Sequence, residues 1–461
     1  MGSLEAAAPT LEAKAAAFVK ENRLPGAAVG VVHGDQLAWS AGVGFTDVPA
    51  QRVPDTHTLY RVASITKTFT GTAIMQLRDE GLLDLDDPAV AHLPELKLAS
   101  SPFGAIETVT IRRMLSHESG PQSEVPGADW SVPIYEGVPE RTLARAGEMA
   151  TTIPANTQQK YSNLAYQLLG EIVARRSGVT YAEYVRDRIL EPLGMHGSGF
   201  EPLPATLESR CATGYAARFL SDELSVASGF PAIWAEGGLW SSVEDLARWL
   251  SFQFGEEAGA REGAQVLGGD TLKEMHAARY LGDDSWTEAW CISWYAVRKG
   301  DVIWVQHSGG INGFITNICF DLKERVGAIA LLNGVGPASD LSMELATIAR
   351  DAVRGSAPSI EPPATMPPAY ADLLGLYIDA EQAMVVRLEW RDGALAVIDP
   401  DEESWWPTLA PTDEPNTFVV APGVRESGER VVFRRLPDGR VVSVFMASAT
   451  LARLAPVESS E

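Results

Sequence analysis

The stretch Leu59 to Thr70 constrains this chain more than any other. Ile65, Phe69, Ala73 and Leu77 recur at helical spacing, Ile74 sits beside them, and Gly81 supplies a stop. The spacing predicts an apolar-faced helix that begins near Ser64. Ser64 and Lys67 stand three residues apart, so a helix places both on one face. A serine hydroxyl is a poor nucleophile at neutral pH and needs a base beside it. A lysine amine buried near other donors can lose its proton and serve as that base. At the helix start, Ser64 would also meet backbone N–H groups that lack a partner within the helix. By itself a Ser-x-x-Lys pair is a weak sign, because many surface helices carry one.

Two further stretches strengthen it. Tyr161-Ser162-Asn163 follows the turn-like Pro154-Ala155-Asn156-Thr157 and precedes an amphipathic helix through Leu164, Leu168, Leu169, Ile172 and Val173, with Gly178 beyond its end. Tyr161 and Asn163 therefore fall at a loop-to-helix junction with their side chains aimed alike. A tyrosine there can relay protons, and an asparagine can hold a substrate amide or orient the lysine. His307-Ser308-Gly309-Gly310 follows a strand expected from Val302 to Val305 and leads into another, Phe314 to Phe320. Gly310 would let a substrate backbone approach closely.

Ser-x-x-Lys, then Tyr-x-Asn, then His-x-Gly, in this order and at these separations, resembles the penicillin-recognising serine hydrolases. The branch it looks most like holds class C β-lactamases, D-Ala-D-Ala carboxypeptidases, D-aminopeptidases and related esterases. The likeness runs from about Pro25 to Gly355. It takes in Leu115-Ser116-His117-Glu118-Ser119-Gly120, similar to the family's Leu-x-His-x-Ser-Gly turn, and Gly237-Gly238-Leu239-Trp240-Ser241-Ser242. The resemblance implies that Ser64 is the nucleophile, that Lys67 and Tyr161 share the proton path, and that Asn163, His307, Gly309 and Gly310 bind substrate. It also implies that the backbone N–H groups of Ser64 and Gly310 receive the oxyanion. No metal or other cofactor is implied. His117 and Ser119 read as a fold landmark rather than as catalysts.

The chain holds 461 residues, enough for a large domain and a small one. Its formal net charge of -24 argues against nucleic acid or an anionic membrane as a partner. Cys211, Cys291 and Cys319 are sparse, odd in number and far apart, so they form neither a disulfide framework nor a metal site. The start shows no basic segment followed by an apolar one, and no run approaches the ~18 apolar residues of a membrane span. A cytoplasmic protein is expected.

Helices are expected from Thr10 to Glu21 and from Leu341 to Val353. Ala27 to Val32 and Gln36 to Ala41 read as a hairpin, and Val326 to Leu332 as a strand. Strands near both ends with helices between them predict an α+β domain over residues 1–355: an antiparallel sheet flanked by helices, beside an all-helical region. Residues 356–368, rich in proline, read as a linker. Residues 369–461 change texture to hairpins, Val385 to Trp390 with Leu395 to Ile398, and Arg430 to Arg435 with Arg440 to Phe445. They predict a small antiparallel barrel, similar to the lipocalin-like domain appended to some members of the family. If it docks at the cleft, Arg453, Arg434 or Arg435 could offer a cation to a substrate carboxylate.

Departures from the family pattern narrow the substrate. Related β-lactamases carry Lys-Thr-Gly where this chain has His307-Ser308-Gly309. A lysine gives a fixed charge for the β-lactam carboxylate, whereas a histidine with pKa near ~6.5 is mostly neutral at pH 7. The His form resembles the D-Ala-D-Ala carboxypeptidases and D-residue peptidases. The expectation is a Ser64 hydrolase or acyltransferase acting on small or peptide substrates, as peptides, amides or esters, with preference for D-amino acids. Four alternatives are open. The first is a penicillin-binding-protein-type thioesterase that releases and cyclises a nonribosomal peptide from a carrier protein. The others are a carboxylesterase, a weak β-lactamase, and a non-catalytic binding module. Self-association is open as well.

Overall fold

The computed structural model describes residues 2–126, 139–216, 224–227, 235–255, 266–282, 286–300, 302–355, 372–379, 384–391, 394–398, 408–412, 414–420, 428–446 and 449–454. The expected linker 356–368 and the turn at Asp392-Gly393 lie outside these residues.

Unbroken apolar runs build the sheet of the larger part around strands that are buried on both faces. Gly26–His33 is buried on both faces. Ala27, Val29 and Val31 face one core, and Ala28 and Val32 face another. Val326–Leu332 splits in the same way, with Ala328 and Ala330 on the first side and Ile329 and Leu331 on the second. The first core is closed by the terminal helices Gly2–Glu21 and Ala338–Arg354, through Leu11, Ala15, Leu341 and Leu345. The second is shared with the helical region that carries the Ser64 and Tyr161 segments. Both helices run longer than the sequence suggested, the first because Pro9 sits within it without ending it.

The eight strands run in the spatial order Gln36–Gly44, Gly26–His33, Val326–Leu332, Phe314–Asp321, Val302–Ile311, Tyr295–Lys299, Glu288–Trp290 and Tyr280–Leu281. Every pairing is antiparallel. N- and C-terminal segments thus meet in one sheet, as expected. One boundary differs. His307 to Gly310 do not follow a strand; they lie inside Val302–Ile311. The backbone of His307 pairs with Ile318 and that of Gly310 with Ile315, so the ladder continues through the glycines to the turn at Asn312-Gly313, where Gly313 takes φ 76°.

The helix Thr66–Asp79 is buried from Thr66 to Leu77. Thr66, Thr68 and Thr72 are buried and satisfy their hydroxyls within the same turn or the one before it. Thr66 Oγ1 donates to Ala63 O at 2.6 Å, Thr68 Oγ1 to Ile65 O at 2.8 Å and Thr72 Oγ1 to Thr68 O at 3.0 Å. Phe69 stacks on Trp249 with centroids 3.9 Å apart. This helix therefore sits as a fixed post rather than as a surface element.

The C-terminal part is a closed antiparallel barrel of eight strands from Gly375–Asp379 to Ala449–Arg453, the last pairing with the first at Tyr377 and Arg453. Tyr377, Leu388, Val397, Val431, Phe433, Val444 and Leu451 fill its interior. Closure leaves no strand edge open to solvent. No described helix is both long and apolar enough to cross a membrane.

Candidate active site

Ser64 is held by a strained turn. It lies in the 3₁₀ turn Ala63–Ile65 that leads into Thr66–Asp79, and Ala63 adopts φ 45°. A non-glycine residue in that region persists only where its surroundings over-determine it. Here Val62 N donates to Leu239 O at 3.0 Å, Leu239 N donates to Thr66 Oγ1 at 3.1 Å, and Thr316 Oγ1 donates to Val62 O at 3.1 Å. The Gly237-Ser242 stretch and the strand Phe314–Asp321 thus clamp the turn from two sides.

One helical turn on, Lys67 Nζ donates to Ser64 Oγ at 3.0 Å, to Asn163 Oδ1 at 2.7 Å and to Glu236 O at 2.7 Å. The Lys67 side chain is fully buried. An ammonium has three donors, and all three are used. A neutral amine keeps two of them, and its lone pair can then face Ser64 Oγ. The set of partners thus suits a lysine that cycles between the two forms.

Asn163 opens the helix Asn163–Ser177, with Ser162 as its N-cap and Gly178 closing it at φ 76°. Asn163 Nδ2 donates to Glu124 Oε1 at 2.8 Å, so its amide orientation is fixed between an acid and the lysine. Tyr161 contributes its ring face: Lys67 Nζ lies 4.9 Å from the ring centroid. The same ring stacks on His117 with centroids 4.2 Å apart. His117 takes φ 58°, and its Nδ1 accepts the Ser162 N–H at 3.1 Å. The turn read from sequence as a fold landmark therefore supports the tyrosine directly.

On the opposite side, Gly309 approaches the Ser64 turn so closely that a Cβ on it would lie 2.2 Å from Val62 O and 3.1 Å from Ser64 N. Gly310 is exposed next to it. Tyr295–Lys299 pairs with the strand only as far as Gln306, so among the described residues no strand covers that edge from His307 to Ile311. His307 is fully buried. Its Nδ1–H donates to Ser308 O at 2.7 Å, while Nε2 has no hydrogen-bond partner among the described residues. Burial, reinforced by the charge of Lys67, lowers its pKa to about 3, so it is a neutral imidazole at any ordinary pH.

The structure brings Ser64, Lys67, Tyr161, Asn163, His307, Gly309 and Gly310 to one locus. It adds acids that carried no motif. Glu236 precedes Gly237, and both its carboxyl oxygens are buried with no hydrogen-bond partner among the described residues. Burial pushes its pKa up to about 8, against the pull of Lys67 and with the push of Glu124. Of the barrel cations suggested from sequence, Arg453 donates to Leu374 O and Arg435 to Asn416 Oδ1 and Gly439 O, all within the barrel. The barrel also sends an acid, Glu429, toward the segment that precedes Tyr161; its Oε1 accepts from Lys160 Nζ and Ser123 Oγ.

A family profile described as "Beta-lactamase" matches residues 11–352. Among curated proteins, the chain is 26% identical over 324 residues to "Protein flp" of Staphylococcus aureus (strain COL), covering 68% of this chain and 61% of that protein. The chain thus spans less than two thirds of that relative's length. Among solved structures, the octameric penicillin-binding protein homologue from Pyrococcus abyssi superposes with a TM-score of 0.65 at 24% identity, over 97% of this chain and 98% of that one. SurE, also solved with D-Leu, superposes at 0.63 with 22% identity, over 98% and 100%. Both structural likenesses include the barrel and bear on fold. On the profile match across most of its length, the chain belongs to the β-lactamase family.

Proposed function

We propose that this chain is a serine hydrolase or acyltransferase that forms an acyl-enzyme on Ser64 and acts on peptides, amides or esters with a preference for D-residues. The observation that carries the reading is the buried Lys67 Nζ, 3.0 Å from Ser64 Oγ and held by Asn163 and Glu236. Ser64 Oγ attacks the carbonyl carbon as Lys67, in its neutral form, takes the hydroxyl proton. The oxyanion forms between the backbone N–H groups of Ser64 and Gly310, where preorganised donors stabilise charge as it develops. The leaving group departs with a proton supplied through Lys67 and Tyr161. Water, or an amine, then takes the acyl group and returns a proton along the same path.

The uncovered strand edge at His307 to Ile311 suits an extended peptide, whose backbone can pair there while its carbonyl reaches Ser64. His307 supplies no charge, which disfavours the β-lactam carboxylate and leaves weak β-lactamase or carboxylesterase activity as side reactions. The D-preference draws on the His-x-Gly pattern and on the likeness to SurE, which was solved with D-Leu. An amine as the acceptor, as in a peptide-cyclising thioesterase acting on a carrier-bound substrate, is the second reading: Glu124, whose Oε1 accepts from Asn163 Nδ2 beside Lys67, offers a carboxyl group to an incoming amine. A non-catalytic module is disfavoured by the intact Ser64–Lys67 contact.

The proposal carries the domain boundaries 1–355, 356–368 and 369–461, a lipocalin-like barrel and a cytoplasmic location. It includes self-association, on the octameric state of the Pyrococcus abyssi homologue. The test is intact-mass detection of acyl-enzyme with a nitrophenyl ester, a D-Ala amide, a β-lactam and a peptidyl thioester. Product analysis with and without an added amine accompanies it. Acylation by the ester and the D-amide, with slow or no acylation by the β-lactam, supports the reading. Acylation by the β-lactam alone sinks it.

A further inference from the structure

Lys160 precedes Tyr161, and its side chain is only 1% exposed. A buried ammonium needs partners, and those that the described residues provide are two. Lys160 Nζ donates to Glu429 Oε1 at 3.2 Å and to Ser123 Oγ at 3.3 Å. Ser123 Oγ donates to the same Glu429 oxygen at 3.1 Å. Glu429 belongs to the barrel and is placed firmly there: its carbonyl accepts Val420 N–H at 3.0 Å, and Gly428, at φ 79°, turns the chain just before it.

Both donors to Glu429 lead on to the reacting groups. Ser123 O accepts the backbone N–H of Asn163 at 2.7 Å and of Leu164 at 3.1 Å, so it fixes the start of the helix whose Asn163 holds Lys67. Lys160 N donates to His117 O at 2.7 Å, and His117 stacks on Tyr161. One barrel carboxylate is thus three contacts from Lys67, through Ser123 and Asn163, and three from Tyr161, through Lys160 and His117.

We propose that Glu429 is a positioning residue of the active site: by neutralising the buried Lys160 and holding Ser123, it makes the barrel part of the frame that aligns Tyr161 and Asn163 with Lys67. The proposal rests on the Ser64 reading above. The contact is asymmetric. Glu429 keeps about a third of its side chain in solvent, with 32% exposure, so it tolerates loss of Lys160. Lys160 loses the one counter-charge it has among the described residues when Glu429 goes, and an uncompensated buried charge forces its surroundings to rearrange.

The experiment is a double-mutant cycle on the full chain with E429Q, K160M and E429Q/K160M. The acylation rate is read with a small nitrophenyl ester, which is too short to need the barrel as a binding surface. Circular dichroism checks folding at the assay temperature. E429Q should lower the acylation rate constant by about tenfold or more with KM little changed, because alignment rather than binding is lost. K160M should lose less than E429Q, and the double variant should be faster than E429Q. Hydrogen exchange of peptides covering 117–126 and 159–164 should rise in E429Q and fall back in the double variant. A loss under about fivefold in E429Q, or a double variant no faster than E429Q, overturns the proposal. If the wild-type chain takes no acyl group at all, the Ser64 reading falls. The exchange data then decide on Glu429 alone, unchanged exchange in E429Q being the overturning result.

Discussion

Gly309→Ala tests whether the close approach of the His307–Ile311 strand sets the geometry of Ser64. The added methyl would lie 2.2 Å from Val62 O, about 1.2 Å short of an ordinary 3.4 Å contact, and 2.7 Å from Thr316 Oγ1. Neither neighbour yields freely. Val62 is held through its own N–H to Leu239 and through its carbonyl to Thr316 and Ile65, and the strand is paired from Val305 to Ile311 with Phe314–Phe320. The displacement therefore reaches Ser64, two residues past Val62. A misplacement of about 1 Å costs roughly 10²-fold in rate, and overpacking of this kind costs about 1–3 kcal/mol of stability. Acylation should fall by about 10²-fold or more in burst kinetics with a nitrophenyl ester, while the protein still unfolds cooperatively. Gly310→Ala is the control. Its nearest neighbour is Ile315 Cδ1 at 3.3 Å, the mobile end of a side chain, so it should stay within about 0.5 kcal/mol of wild type and affect bulky substrates chiefly through KM. A Gly309→Ala protein that acylates within about threefold of wild type would refute the reasoning.

Lys67→Ala and Tyr161→Phe should each slow acylation by roughly 10²-fold or more, and the double variant should be no slower than the worse single, since both serve one proton path. Rate losses that multiply would show two independent functions. Glu236→Gln should stabilise the protein in a pH-dependent way. The folded Glu236 holds its proton up to about pH 8, whereas the unfolded group ionises near 4.5. Wild-type stability from this group is therefore complete below pH 4.5 and is lost as pH rises through 8, at up to about 1.4 kcal/mol per pH unit. Urea unfolding at pH 5 and pH 8 should show a gain for Glu236→Gln that grows with pH; an equal gain at both would count against a buried, protonated Glu236.

Much of this was legible in the residues themselves. Helical spacing from Ile65 to Leu77 and the Gly81 stop gave the nucleophile's helix, and the spacing from Leu164 to Val173 with Gly178 beyond it gave the second one. Continuous apolar runs gave Gly26–His33 and Val326–Leu332, which bury both faces, and patterns nearer period two gave the barrel hairpins. The His307 strand runs past the end its residues suggest, because glycine weakens strand signals, and the close approach to Val62 explains why glycine stands at 309. The role of His117 was visible as a motif but not as chemistry, since its stacking partner lies 44 positions on in the chain. Glu236, Glu124 and Glu429 gave no signal at all. Each matters through partners far away in sequence, and an acid in a chain of net charge -24 looks like solvated surface until the fold buries it.

Ser64 as the acyl carrier is tested most directly by covalent labelling. Wild type and Ser64→Ala are treated with a fluorophosphonate and with a nitrophenyl ester, then measured by intact mass and peptide mapping. One adduct should form on wild type, on the peptide that contains Ser64 and Lys67, and none on a folded Ser64→Ala protein. An adduct that persists in Ser64→Ala, or that maps to another residue in wild type, would contradict the mechanism.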